Sequence, residues 1–491
     1  MMAPEAFLHR VEQVNTWILD HFGWLFSVGG LFFLITVLAA YVSPLGKQRI
    51  GDGPPILSKW RWFSITLCTT IATGILFWST AEPLFHLHIL PSSTHITPNS
   101  QDAAVFALST MYMHWTLIPY GIYTLVALVF ALTYYNKHQP FSLGTILFPL
   151  IGHRANGWLS GLIDGISLFS LIAGMAASLG AGLIILAGGL EQFFSISYSS
   201  WTLGFIALVI VVTFIISAST GLMRGIRVLS DINIKLFFVL AIFVFITGPT
   251  LYLLELGGAA ILDFFLHFFR RSLMGVVNDD VQWARDWTMF NWANWLAWTP
   301  ITAIFLGRIG VGYTVREFIQ INLFYPSLFA IMWMTIFSGT TLNFDFFGAD
   351  SPLYQILNTT SGPSKALFEV LAELPWAGLM SGFFLFAAFL SYVTAADSNT
   401  SAMSGISSTG ISPESTEPAV GIKIIWGLLI GLIAWVMVSF TSTNGESGLD
   451  GIRMLSNLGG FPILFIVILV AFGLMKLVYQ SFFKKMPKEV N

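Results

Sequence analysis

Trp287-Thr288-Met289-Phe290-Asn291-Trp292-Ala293-Asn294-Trp295-Leu296-Ala297-Trp298-Thr299-Pro300 opens an apolar stretch that continues to Ile309. From 288 to 309 the stretch has the length a helix needs to cross about 30 Å of hydrocarbon. Trp292, Trp295 and Trp298 recur at i, i+3 and i+6 and form one stripe along that helix. Pro300 lacks a backbone donor, so it marks a place where the helix can break.

Runs of similar length recur on both sides of this one. They lie near 23–43, 62–83, 104–133 and 157–188, and then near 200–219, 233–256, 288–309, 321–341, 376–402, 421–441 and 458–480, eleven in all. Composition agrees: of 491 residues, 55% are hydrophobic and 10% charged, with a mean hydropathy of +0.77, whereas a soluble domain is roughly 25% charged. The expected fold class is an all-α integral membrane protein with about eleven spans. A formal charge of -3 and a pI near 6.3 leave no basic surface for a nucleic acid.

Residues 1–22 mix Glu5, His9, Arg10, Glu12 and Asp20, and the run that follows is longer than the apolar core of a signal peptide, so a retained span is expected. Orientation follows from lysine and arginine. With the 44–61 loop in the cytoplasm, fifteen basic residues share its side and six lie opposite; Lys235, just inside a span, completes the 22. The bias predicts a periplasmic N-terminus and a cytoplasmic C-terminus.

After the first span, ten remain and divide into five and five. The expected organisation is 1–61 with one extra helix, 62–256 as a first five-helix repeat, 257–287 as an interfacial segment, 288–480 as a second repeat, and 481–491 as a short cytoplasmic tail. Five is odd, so the second repeat runs inverted, as in the LeuT-type 5+5 helix bundle with its substrate near mid-membrane. Breaks are sought in the leading helix of each half: at Thr73-Gly74 with an end at Glu82-Pro83, and at Pro300. The 257–287 segment sets Arg270 and Arg271 beside Phe264, Phe265, Phe268 and Phe269, a pattern for a helix lying on the interface as a gate or a wedge.

Little here supports catalysis. The single cysteine, Cys68, sits in an apolar run and can form no intrachain disulfide. The nine histidines show no HExxH spacing, and His86 and His88 read as part of an outer loop. No nucleophile elbow or paired intramembrane carboxylates are found, so an enzyme is not expected. Glu82, expected at an outer boundary, and Asp397 are the acids that membrane burial marks as functional candidates.

Aromatic residues offer more. Trp115, Tyr120 and Tyr123 fall within about two helical turns, and the tryptophan stripe of 292–298 lies in the other half. Such rings form either an interfacial belt or a shared box between the halves. A box suits a trimethylammonium group, which neither donates hydrogen bonds nor loses its charge. Each ring face contributes about 0.5 to 2 kcal/mol when desolvated, and millimolar to micromolar binding needs only about 4 to 8 kcal/mol.

From about residue 44 to 480 the chain resembles the betaine/choline/carnitine transporters. The resemblance rests on Trp287 to Pro300, continued by Phe305-Leu306-Gly307-Arg308 and Thr314-Val315-Arg316-Glu317-Phe318. Supporting it are Phe77-Trp78-Ser79-Thr80-Ala81-Glu82-Pro83, His114-Trp115, Gly225-Ile226 with Leu229-Ser230-Asp231, and Thr394-Ala395-Ala396-Asp397-Ser398. It implies uptake of a quaternary-ammonium solute such as glycine betaine, choline or carnitine across a bacterial inner membrane, coupled to a cation and serving osmoprotection. The alternatives are a sodium-independent onium exchanger and an amino-acid or cation carrier on the same scaffold.

Carried over, the resemblance places the substrate cage at Trp115, Tyr120, Tyr123 and Trp295, with Trp298 as a neighbouring transient site. Asn294, where tryptophan is usual, joins the candidate substrate-binding residues. Sodium, the one ion expected, would be held by carbonyls near Cys68 and Ile71, the carbonyl of Ser391 and the hydroxyl of Thr394. The chain departs from the family at Ala395, which removes a second hydroxyl, at Tyr120 in place of tryptophan, and at Thr70-Ile71-Ala72-Thr73-Gly74 in place of a glycine-rich core. Lys235 is the one basic residue considered as a substitute for sodium, against a plain role snorkelling to the interface. The resemblance also implies a homotrimer, and eleven spans in place of twelve.

Overall fold

The computed structural model describes residues 4–70, 72–219, 222–348, 351–357, 362–408, 420–441 and 448–483. Among them the regular structure is helical throughout, with one isolated bridge between Arg49 and Thr314. This is what lipid demands, since a backbone away from water must satisfy its own polar groups. Eight of these helices are long and apolar enough to cross a membrane, and the pair Lys59–Thr70 and Gly74–His88, bent by 57°, adds a broken span.

The helices that position the site are α1 (Pro4–Val42), α2 (Lys59–Thr70), α3 (Ala72–His88), α4 (Gln101–Trp115), α5 (Leu117–Ala131), α6 (Trp158–Phe194), α7 (Ser200–Ser219), α8 (Leu222–Thr247), α9 (Thr250–Ser272), α10 (Phe290–Ile309), α11 (Tyr325–Phe347), α12 (Ala377–Ile406), α13 (Val420–Thr441) and α14 (Gly448–Phe483). The tryptophan helix α10 lies at the centre, packed against α5, α6 and α14. Small residues allow this approach: a Cβ on Gly460 of α14 would lie 2.2 Å from the carbonyl oxygen of Ala293.

Several expected boundaries move. The first break does not: the bend of 57° falls between Thr70 and Gly74, at the expected Thr73-Gly74 break, with Ile71 outside the described residues. Helix α3 does not end at Glu82-Pro83 but runs through Pro83 to His88. Pro83 offers no N–H to the carbonyl of Ser79, and that oxygen accepts the Ser338 hydroxyl from α11 at 2.7 Å instead. Glu82 and His86 are therefore inside the bundle, neither at a boundary nor in a loop. Helix α10 likewise continues through Pro300, so the break sought in the second half is not found there. The Thr299 and Thr302 hydroxyls on either side bond back to the carbonyls of Trp295 and Thr299.

A break occurs instead within the 104–133 run. Thr116, with φ -125° and ψ -111°, separates α4 from α5, and Pro119 sits in the first turn of α5. The 233–256 run is divided at Gly248-Pro249 between α8 and α9. Helix α9 buries Leu253, Leu256, Ala260, Phe264 and Phe268 and exposes Leu251, Leu254, Leu262, Phe265, Leu266 and Phe269. It is long and apolar enough to span by length and composition.

Charged side chains tie connecting segments to the helices in two separate groups. In one, Arg49 donates to the carbonyl of Gly312 at 2.9 Å and Lys59 pairs with Glu317 at 2.8 Å. In the other, Arg285 pairs with Asp20 at 2.7 Å, Arg271 donates to Ser109, and Asp280 accepts the Ser92 hydroxyl.

Candidate solute-binding site

The bend at Thr116 turns the aromatic residues of α4 and α5 toward one point. Trp115 ends α4, Tyr120 and Tyr123 lie on successive turns of α5, and the Trp295 ring of α10 stands among all three. Its centroid is 5.8 Å from Trp115, 5.4 Å from Tyr120 and 4.8 Å from Tyr123, with interplanar angles of 71°, 63° and 51°. These are edge-to-face and tilted contacts, which ring quadrupoles favour. An interfacial belt would leave such rings at the protein surface, but none of the four is more than 3% exposed.

Trp115, Tyr123, Trp295, Trp298 and Asn294 all line one cavity of about 40 Å³, together with Thr69, Thr70, Gly74, Trp78, Ser178 and Phe290. Tyr120 stands behind Trp295, fully buried. A cavity of this size holds water. Trp298 and Ser178 also line a second cavity of about 20 Å³ with Tyr392, Ala395 and Asn399. Trp298 is thus the partition between the two spaces. Asn294 is held by α14, where the Ser456 hydroxyl donates to its Oδ1 at 3.1 Å. That bond leaves the amide N–H groups as donors, beside the hydroxyls of Thr69, Thr70 and Ser178 that line the same cavity.

Above the cage, Trp78 packs on Phe290 at 5.5 Å and on Trp287 at 6.5 Å. The Arg453 guanidinium covers Trp287 at 4.6 Å and Phe290 at 5.9 Å, a cation–π lid on the end of the bundle that also holds Arg285 and Arg271.

The expected sodium ligands lie on α2 and α12, which pack together. Cys68, Ser391 and Thr394 are buried; Ile71 falls outside the described residues. Thr394 donates its hydroxyl to the Leu390 carbonyl at 2.7 Å. Ser391 accepts Asn233 Nδ2 and donates to Ala387. Lys235 lies far from this setting in character: its side chain is 68% exposed and pairs with Asp231 at 2.6 Å. Asp397 is buried on α12.

One cluster escapes sequence reasoning. Glu82, His86 and His114 bring a carboxylate oxygen and two ring nitrogens within 4.8 Å of one another, all fully buried. Trp115 of the cage donates its indole N–H to Glu82 Oε2 at 3.0 Å. The i, i+4 spacing of Glu82 and His86 was a signal for two of them; His114 comes from another helix.

Comparison with known proteins gives one consistent outcome. A family model described as betaine/carnitine/choline family transporter (BCCT) matches residues 1–482. The chain is 30% identical over 469 residues to an ectoine/hydroxyectoine transporter of Virgibacillus pantothenticus, covering 95% of this chain and 90% of that one. It is 31% identical over 481 residues to a betaine/ectoine transporter of Corynebacterium glutamicum, covering 96% and 74%. A glycine betaine transporter of Bacillus subtilis is 28% identical over 490 residues, covering 99% and 91%.

Proposed function

Because the chain belongs to the betaine/carnitine/choline family of membrane transporters, we propose that it takes up an onium-type compatible solute, held by the ring faces of Trp115, Tyr123 and Trp295, with Tyr120 backing Trp295, and driven by sodium. The observation that carries this reading is the convergence of three rings of α4 and α5 on Trp295 of α10. Rings from the two halves of an inverted repeat meet where the halves move against each other, so a solute bound there is exposed to one side and then the other. A headgroup against three desolvated rings gains about 0.5 to 2 kcal/mol from each.

Asn294 supports a solute with a hydrogen-bonding group beside its cationic end. Glycine betaine meets this through its carboxylate. So does ectoine, which two of the relatives carry by name. On α2 and α12 the sodium site keeps Thr394 but has Ala395 as its neighbour, and one oxygen fewer gives weaker sodium binding.

A counterflow panel in proteoliposomes tests the solute. Labelled glycine betaine should exchange with unlabelled betaine, choline, carnitine or ectoine, and neutral amino acids should give no signal. Counterflow with amino acids and with no onium compound would overturn the reading.

A further inference from the structure

Glu82, His86 and His114 serve neither the cage surface nor the sodium site, yet they are bonded to both α4 and the cage. Glu82 Oε1 lies 2.5 Å from His114 Nδ1 and 3.2 Å from His86 Nε2, and Oε2 accepts the Trp115 indole N–H. A carboxylate only accepts, so both facing ring nitrogens carry hydrogen. His114 Nε2 then faces the Thr288 hydroxyl at 3.1 Å, and His86 Nδ1 has no partner among the described residues.

In that state the cluster holds one whole negative charge with fully buried side chains, and the ionic partners of Glu82 are the two histidines. Three donors hold that charge on the carboxylate, and one added proton on a neighbouring imidazole makes the cluster neutral. Two positions can take the proton without losing a bond. One is the vacant lone pair of His86 Nδ1. The other is His114 Nε2, because the Thr288 hydroxyl can turn from donor to acceptor.

The other charged groups around the cluster are engaged. Arg453 of α14 lies over Trp287, whose ring is 4.6 Å from that of His86. His88 pairs with Asp345 of α11, Arg285 with Asp20, and Asp286 accepts from Gln282. On α4, Tyr112 bonds to Thr335; on α12, Asp397 is the buried acid. A transition metal suits the donor set less well, because metal-bound histidines have an orienting partner on the second nitrogen and His86 has none.

We propose that Glu82, His86 and His114 form a proton-binding site linked through Trp115 to the solute cage, so that a cationic headgroup and this proton weaken each other's binding. The proposal rests on the cage reading above. The deprotonated cluster attracts a cation in the cage through space, and its carboxylate draws on the Trp115 N–H, which enriches the ring face the cation meets. A unit charge one indole width from the cage changes cation affinity by about tenfold at the effective dielectric of a protein interior. By reciprocity the bound cation expels the proton to solvent.

The test uses the purified full-length protein with choline as a permanently cationic probe. Binding is followed by tryptophan fluorescence from mildly acidic to mildly alkaline pH, and proton release by calorimetry in two buffers of different ionisation enthalpy. Choline should bind about tenfold more tightly at the alkaline end and release protons. In Glu82→Gln both effects should vanish. His86→Gln, which keeps a donor toward Glu82 but cannot take a proton, should reduce the release. Binding without proton release, or a Glu82→Gln variant with the wild-type pH profile, overturns the proposal. An infrared titration of the solute-free protein separates the two readings: carboxyl and imidazolium bands that disappear in Glu82→Gln, in a protein that binds no onium compound, sustain the proton site and sink the cage and the linkage together.

Discussion

Trp295 touches each of the other cage rings, and Trp298 partitions two cavities, so their substitution should have different results. Trp295→Leu removes the ring at the centre of the box. Tyr123→Leu removes its closest partner, at 4.8 Å. Each should weaken solute binding by about 2- to 30-fold, the range that 0.5 to 2 kcal/mol spans, and lower uptake at low solute concentration by at least the same factor. Trp298→Leu should slow transport with a smaller loss of affinity, since its ring lines the way between the spaces. Equilibrium binding and initial uptake rates, measured on the same preparations, check this; unchanged betaine binding in the Trp295 variant would remove the cage. Gly74 is a second test of the same wall. A Cβ there would lie 2.8 Å from Cη2 and 3.0 Å from Cζ3 of Trp115. Gly74→Ala should therefore displace that indole at an overpacking cost of about 1 to 3 kcal/mol, lowering solute affinity in a protein whose thermal unfolding falls only modestly. Wild-type affinity in Gly74→Ala would show that the Trp115 position is immaterial.

Between helices, the question is which pair couples solute movement to an ion. The packing of α2 on α12 sets Cys68 near the Thr394 helix, and moving one charge through 100 mV contributes about 2.3 kcal/mol. By the tenfold-per-1.4 rule that is roughly fiftyfold accumulation. Uptake should rise with sodium at fixed osmolality and potential, and Thr394→Ala should raise the sodium concentration for half-maximal rate. Lys235→Met should leave uptake unchanged, because an exposed lysine paired with Asp231 on its own helix reaches no buried site. Equal uptake in sodium and sodium-free buffer, together with loss of activity in Lys235→Met, would establish the exchange mechanism instead.

At the scale of the molecule, charged side chains tie segments together in two separate groups. Arg49 and Lys59 meet the 312–317 segment in one, and Asp20 meets Arg285 in the other. Since the side rich in lysine and arginine faces the cytoplasm as a rule, an N-terminal reporter should be active in the periplasm and a C-terminal one in the cytoplasm. Both reporters on one side would mean an even number of crossings, and would require α9 to be recounted as a span or another helix to be removed from the count.

Sequence alone determined the helical class, because a run of apolar residues in lipid has no other way to satisfy its backbone. It also put Trp295 and Trp298 on one wall by their i, i+3 spacing and Tyr120 and Tyr123 together against Trp295, whereas Trp292 of the same expected stripe packs on His114 instead. Beyond the bend at Thr73-Gly74, it did not determine where the helices break. Pro83 is harmless only because Ser338, far along the chain, supplies the hydrogen that Ser79 lacks, while Thr116, with no glycine beside it, is where the second bend occurs. Nor did it reveal Glu82, His86 and His114 as one cluster. Periodicity says which side chains project together from one helix; which other helix receives them is decided by packing across the whole bundle, and there alone a glutamate at an apparent helix end becomes a buried acid bonded to the cage.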